Sequence, residues 1–226
     1  GGGTAGESLE VTHLNERLEQ MGRSLNEAMM SRKEQKAAKK EEKAHAKAEA
    51  KREKSGDSAE ASRPKVFVLD FDGDIRATGA STLREEITAV LSLATEKDEV
   101  LVRIDNAGGV VHGHGLAASQ LARIRDRGIP LTACVDKVAA SGGYMMACVA
   151  NHILAAPFAI VGSIGVLAQI PNFHRVLDRV GVDVEMIKGG EHKRSLTFFG
   201  KNTDEDRAKM QQDVDNIHRL FKGFVT

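Results

Sequence analysis

The chain has 226 residues, with 32 basic and 32 acidic side chains, so its formal charge is zero. That balance excludes a global pull toward nucleic acid or an anionic surface. No run approaches the roughly 18 consecutive apolar residues of a membrane-spanning helix. All eight Phe and the single Tyr lie at or after Phe67, as do both cysteines. The stretch before Phe67 therefore lacks the aromatic residues that build a core, whereas the rest, about 160 residues, suffices for one α/β domain.

The chain begins Gly1-Gly2-Gly3-Thr4 rather than with Met, and is expected to be a fragment. Gly1 to Glu10 carries no periodic signal. Val11, Leu14, Leu18, Met21, Leu25 and Ala28 then recur at three-four spacing and predict an amphipathic helix, weakened at Gly22. From Arg32 to Lys54 ten basic residues face five Glu, which predicts a solvated, charged spacer helix. No aromatics are interleaved, so base stacking on nucleic acid is not expected. Ser55 to Pro64 has linker composition. Two domains follow: residues 1–63 as helix, spacer and linker, and residues 64–226 as an α/β domain.

Val66 to Phe71 is an almost continuous apolar run, expected to be a strand covered on both faces. Thr82 and Glu85 have the spacing of a capping box, ahead of a helical face of Leu83, Ile87, Val90, Leu91 and Ala94. Val100 to Ile104 is a second strand, followed by a glycine-rich loop from Asp105 to Gly115. Leu116 to Arg127 is helical, stopped by Gly128 with Pro130 beyond. Leu131 to Val135 is a strand, Tyr144 to Ala150 a helix, and His152 to Ala155 a strand. Ile160 to Gln169 reads as broken β-structure. A helix from Pro171 to near Gly181 and a strand from Val182 to Ile187 come next. Thr203 caps the last helix, whose first turn holds Asp204, Glu205 and Asp206. Cys134 and Cys148 lie in apolar runs and read as small buried core residues. Alternating strand and helix implies a largely parallel sheet, whose sites lie at the carboxyl ends of its strands.

Three loops fall at such ends: Asp105 to Gly109, Lys137 to Gly143 and Lys188 to Lys193. Ser141 stands where strand gives way to helix, with Gly142 and Gly143 behind it. By itself this is a helix cap followed by packing glycines. It is also how nucleophilic serines are presented. The paired glycines Gly108 and Gly109 can offer bare amides which, with that of Gly142, would hold an oxyanion. Gly113-His114-Gly115-Leu116-Ala117-Ala118 matches a dinucleotide fingerprint on paper, but it sits too far beyond the strand end at Ile104. A serine needs a base. His112, His114, His152, His174, His192 and His218 have no evident orienting acid. Lys193 emerges from a glycine turn, with Lys137 and Lys188 as rivals. A lysine base would need its pKa of about 10.4 depressed by roughly 3 units through burial. Ser163, in a third small-residue turn, is placed to orient a lysine amine or simply to form the turn. No metal and no cofactor are called for.

Together, Asp105-Asn106-Ala107-Gly108-Gly109, Ala139-Ala140-Ser141-Gly142-Gly143-Tyr144, Ile160-Val161-Gly162-Ser163-Ile164-Gly165-Val166 and Gly190-Glu191-His192-Lys193 resemble the signal peptide peptidase A family, most closely its SohB-like branch. The resemblance implies a ClpP/crotonase-like fold and a Ser-Lys dyad protease. Ser141 would be the nucleophile, Lys193 the base and Ser163 its orienting partner. Gly108 or Gly109, with Gly142, would form the oxyanion hole. It further implies a peptide substrate, a homo-oligomeric ring, a periplasmic site on the bacterial inner membrane, an anchor upstream of Gly1 and further chain beyond Thr226. A crotonase-like acyl-CoA enzyme and a non-catalytic scaffold of the same fold are the alternatives.

Overall fold

A computed structural model describes residues 9–31, 33–40, 43, 63–187, 189–190 and 196–225. Chain contacts divide it into two units, Gly1–Pro64 and Lys65–Thr226. Most of the Lys/Glu/Ala-rich spacer and nearly all of the linker lie outside the described residues.

In the first unit, α1 (Leu14–Met29) buries no residue, and its stripe of Leu18, Met21, Leu25 and Met29 is exposed. Residues 33–40 are also helical. Their start is a capping box: Ser31 Oγ donates to Glu34 Oε2 at 2.6 Å, and the Glu34 amide points back at Ser31 Oγ. The hydroxyl and amide of Ser31 hold the Glu34 carboxyl below the usual carboxylate range.

In the second unit, β1 (Val66–Asp72), β2 (Glu99–Asp105), β3 (Leu131–Val135) and β5 (His152–Ala155) form a parallel sheet in the order β1-β2-β3-β5. This is the expected mixed α/β architecture with a parallel sheet. Between them come α2 (Ala80–Leu93), α3 (Val111–Asp126), the short β4 (Val138–Ala140) and α4 (Gly142–Ala147). Beyond β5 follow β6 (Ile160–Gly162), α5 (His174–Arg179) and α6 (Asp204–Val225). The core lies on one face of the sheet. Leu69, Phe71, Val100, Val102, Ile104, Leu131, Ala133 and Val135 pack with Leu83 and Ile87 of α2, Leu121 and Ile124 of α3, and Met146 of α4.

The expectation that β1 is covered on both faces does not hold among the described residues. Asp70 and Asp72 alternate with buried Leu69 and Phe71, and Arg103 alternates with Val102 and Ile104. Register pairs Asp70 with Arg103, and the two form a bidentate ion pair on the open face. The pattern has period two, the mark of a half-covered sheet. Four further expectations are corrected. Thr82 is no cap, because α2 starts two residues earlier, at Ala80. Residues 182–187 form no strand. Only Ile160–Gly162 of the stretch to Gln169 is extended and paired. Cys134 and Cys148 are half-buried rather than buried. At the end of α3, Gly128 takes φ 71° as the stop signal requires. Thr203 caps α6 as expected, and the structure adds a reciprocal bond with Asp206, with Asp206 N to Thr203 Oγ1 at 3.1 Å and Thr203 Oγ1 to Asp206 Oδ2 at 2.7 Å.

Candidate active site

The site is built on a small second sheet. β4 and β6 pair in parallel, with Ala140 opposite Gly162, and Asn106 just past β2 bridges to Ala139. Asn106 N donates to Val138 O at 2.9 Å, Ala140 N to Asn106 O at 3.0 Å and Ser141 N to Gly162 O at 2.8 Å. Three chain segments thus run side by side, and they end together at Gly108, Ser141 and Ser163. The structure brings together two of the three expected loops and adds the Ser163 turn. Lys188, Glu191, His192 and Lys193 lie outside the described residues.

Ser141 has φ 52° and ψ −115°, a conformation that non-glycine residues adopt at a cost of about 1–3 kcal/mol. It follows β4 and opens α4 directly, so the bend is sharp, and its side chain is half-buried. The side chain does not cap α4 and has no hydrogen-bond partner among the described residues. Ser163, exposed, takes φ 58° at the corresponding end of β6. Two serines at left-handed positions therefore close two neighbouring parallel strands.

The glycines have contacts that the sequence did not reveal. A Cβ on Gly108, itself at φ 92°, would lie 2.7 Å from Ser141 Cβ and 2.8 Å from Gly142 N, so the turn passes directly against the elbow. A Cβ on Gly142 would lie 2.3 Å from the His114 ring, and one on Gly143 would lie 2.2 Å from Asn106 O. The Gly142-Gly143 pair is thus required by packing, whatever it leaves open to a substrate. The Gly108 amide donates to Asn106 Oδ1 at 2.6 Å. The amides of Gly109 and of Gly142, in the first turn of α4, meet no acceptor among the described residues.

Among the bases that the sequence left open, Lys137 donates to Asp105 Oδ2 at 2.6 Å. That hydrogen bond and the nearby carboxylate raise its pKa, the wrong direction for a neutral amine. No histidine bonds Ser141 among the described residues. His112 and His152 are exposed, His174 and His218 half-buried, and His114 is fully buried with both ring nitrogens engaged. The dinucleotide match dissolves. Gly113 and Gly115 lie inside α3, and a Cβ on Gly113 would strike Arg76 O at 2.5 Å. Gly113 serves packing, and both glycines lie within the helix, with no turn to cradle a phosphate. Sequence reasoning gave Asn106 no role of its own, and it weighed His114 only as a base. An Asn at a strand end ahead of paired glycines was the available signal.

Comparison with known proteins follows this geometry. The model of the Peptidase family S49 N-terminal region matches residues 2–121, and that of Peptidase family S49 matches residues 123–226. The chain belongs to peptidase family S49. Within the family it falls in the SohB-like branch. It is 50% identical over 223 residues to the probable protease SohB of Haemophilus influenzae, covering 96% of this chain and 63% of that protein. The SohB relative of Buchnera aphidicola subsp. Schlechtendalia chinensis is 56% identical over 164 residues, covering 73% and 54%. The chain thus spans less than two thirds of the length of these bacterial relatives. Among solved structures, a membrane-bound stomatin-specific protease in complex with a substrate peptide superposes with a TM-score of 0.39 at 22% identity, over 49% of this chain and 48% of that one. An enoyl-CoA hydratase/isomerase family protein from Silicibacter pomeroyi does so with a TM-score of 0.34 at 13% identity, over 42% and 48%.

Proposed function

We propose that the chain is the catalytic part of a serine endopeptidase acting through a Ser-Lys dyad on peptides in extended conformation. Ser141 Oγ attacks the scissile carbonyl. Lys193 takes the proton and returns it to the leaving amine, and water then hydrolyses the acyl-enzyme. The observation that carries the reading is the elbow: a serine at φ 52° between β4 and α4, its hydroxyl unspent, with the Gly109 and Gly142 amides meeting no acceptor among the described residues. Those two amides are the proposed oxyanion hole. Gly108 shapes the turn, since its own amide is already taken by Asn106. Ser163, one strand away, is the proposed hydrogen-bond partner of the lysine amine.

The physiological setting is proposed on the same footing. It comprises membrane-derived peptides as substrates, a homo-oligomeric ring, an anchor outside this chain, and a periplasmic site on the bacterial inner membrane. Among the described residues no helix is long and apolar enough to cross a membrane.

The test is a fluorophosphonate probe on the intact protein. Labelling is expected in the wild type and absent in Ser141→Ala. In Lys193→Ala it should fall by about 10²-fold or more near neutral pH, as for loss of a general base. It should recover in part at high pH, where hydroxide replaces the amine. An unlabelled wild type sinks the serine reading, and an unchanged Lys193→Ala sinks the dyad. Acyl-CoA thioester turnover would move the chain to a different chemistry.

A further inference from the structure

The buried polar pair behind the elbow has no part in the chemistry above. His114 is fully buried and Asn106 is 1% exposed. His114 Nε2 lies 3.2 Å from Asn106 Oδ1, and its Nδ1 lies 2.9 Å from Val110 O at the start of α3. The same Asn106 Oδ1 accepts the Gly108 amide at 2.6 Å. That amide can only donate, so it settles which end of the Asn106 side chain is oxygen. Val110 O also only accepts, and a neutral imidazole has one N–H, so the positioning role belongs to the tautomer with that proton on Nε2, facing Asn106 Oδ1. Asn106 Nδ2, on the other side, is buried and has no acceptor among the described residues. It is packed over Gly73, where a Cβ would lie 1.9 Å away. Burying an amide donor without a partner costs stability. Such a group persists where something else dictates its orientation, and here the demand on Oδ1 does so.

The geometry points to His114 and Asn106 as positioning residues for the oxyanion-binding turn. This rests on the serine peptidase reading of the same site. The ring reaches both walls of the proposed hole. Its Nε2 steadies the Asn106 oxygen that holds Gly108, and its carbon face fills the space under Gly142. Gly109, the next residue, is held on its far side, where Val110 N donates to Ile75 O at 2.8 Å. The Gly109 amide is thereby held between two hydrogen-bonded points, and Gly109 itself packs against the Ile75 backbone, where a Cβ would lie 2.0 Å from Ile75 O. Neither side chain touches substrate. Their effect runs through the amides' placement, to which oxyanion stabilisation is steeply sensitive.

The test uses the intact protein and a saturable fluorophosphonate probe. His114→Phe keeps a buried ring and removes the donor. Asn106→Ala removes the shared acceptor. Each should lower the maximal labelling rate by about 10- to 100-fold, with the concentration for half-maximal rate unchanged. The double variant should be no slower than the slower single variant, because both act through the same turn. His114→Gln, which restores an N–H donor, should regain most of the rate. His114→Phe labelling at the wild-type rate while folded, or a folded His114→Gln as slow as His114→Phe, overturns the proposal. If His114→Phe does not fold, His114→Gln decides, with labelling within about threefold of wild type supporting it and a loss beyond about tenfold overturning it. Failure of the serine reading is seen separately, as an unlabelled wild type or a labelled Ser141→Ala.

Discussion

At the residue scale, the elbow depends on absent atoms. Gly142 and Gly143 face the His114 ring and the Asn106 carbonyl at distances no Cβ tolerates. Gly142→Ala and Gly143→Ala should each destabilise the fold by about 1–3 kcal/mol, as overpacking does. Gly143→Ala should be the worse of the two, because a backbone carbonyl yields less than a side-chain ring. Thermal or urea melting of the two variants checks this, and an unchanged midpoint for both would show that the helix start repacks freely. The two thiols offer a pH-dependent counterpart. Burial is the first cause raising the pKa of both Cys134 and Cys148, with Asp136 adding to it at Cys134. Only the thiolate reacts. Both should therefore alkylate more slowly than free cysteine at neutral pH, with rates climbing only above the ordinary thiol range. Fast iodoacetamide labelling at pH 7 would contradict that.

At the scale of elements, much of the chain could be read in advance because the signals are local. The Thr203 cap, the Gly128 stop and the α2 face of Leu83, Ile87 and Val90 each need only neighbouring residues. Gly128→Ala should lower stability by about 1–2 kcal/mol, the cost of a side chain in the left-handed region. Space is not the obstacle, since the nearest atom to its Cβ would be Glu96 Cγ at 3.5 Å. A melting shift near zero would mean that the helix end relaxes instead. Elsewhere local signals misled. The Thr82–Glu85 spacing suggested a cap, yet Ala80 and Ser81 already continue the helix. The β-rich run of Val182 to Val184 has no strand partner among the described residues, and propensity alone does not make a strand.

At the scale of the whole molecule, large apolar side chains remain at the surface of the second unit. Phe158 and Ile187 are 98% exposed and Leu167 is 85% exposed. Apolar exposure on this scale accompanies surfaces that are covered in an assembly. The intact protein should therefore sediment as a multiple of its protomer mass, and a monomer at micromolar concentration would count against the proposed ring. What the sequence determined by itself was the α/β alternation, the parallel sheet and the candidate residues. These follow from periodicity, glycine placement and motif order, all carried along the chain. Tertiary structure alone decided which candidates meet. Ser141 and Ser163 are 22 residues apart in sequence, and only the β4–β6 register sets their strands side by side. The place of Asn106 ahead of paired glycines marks the turn but not its contact with His114, because a buried hydrogen bond depends on segments that only the fold brings to one point.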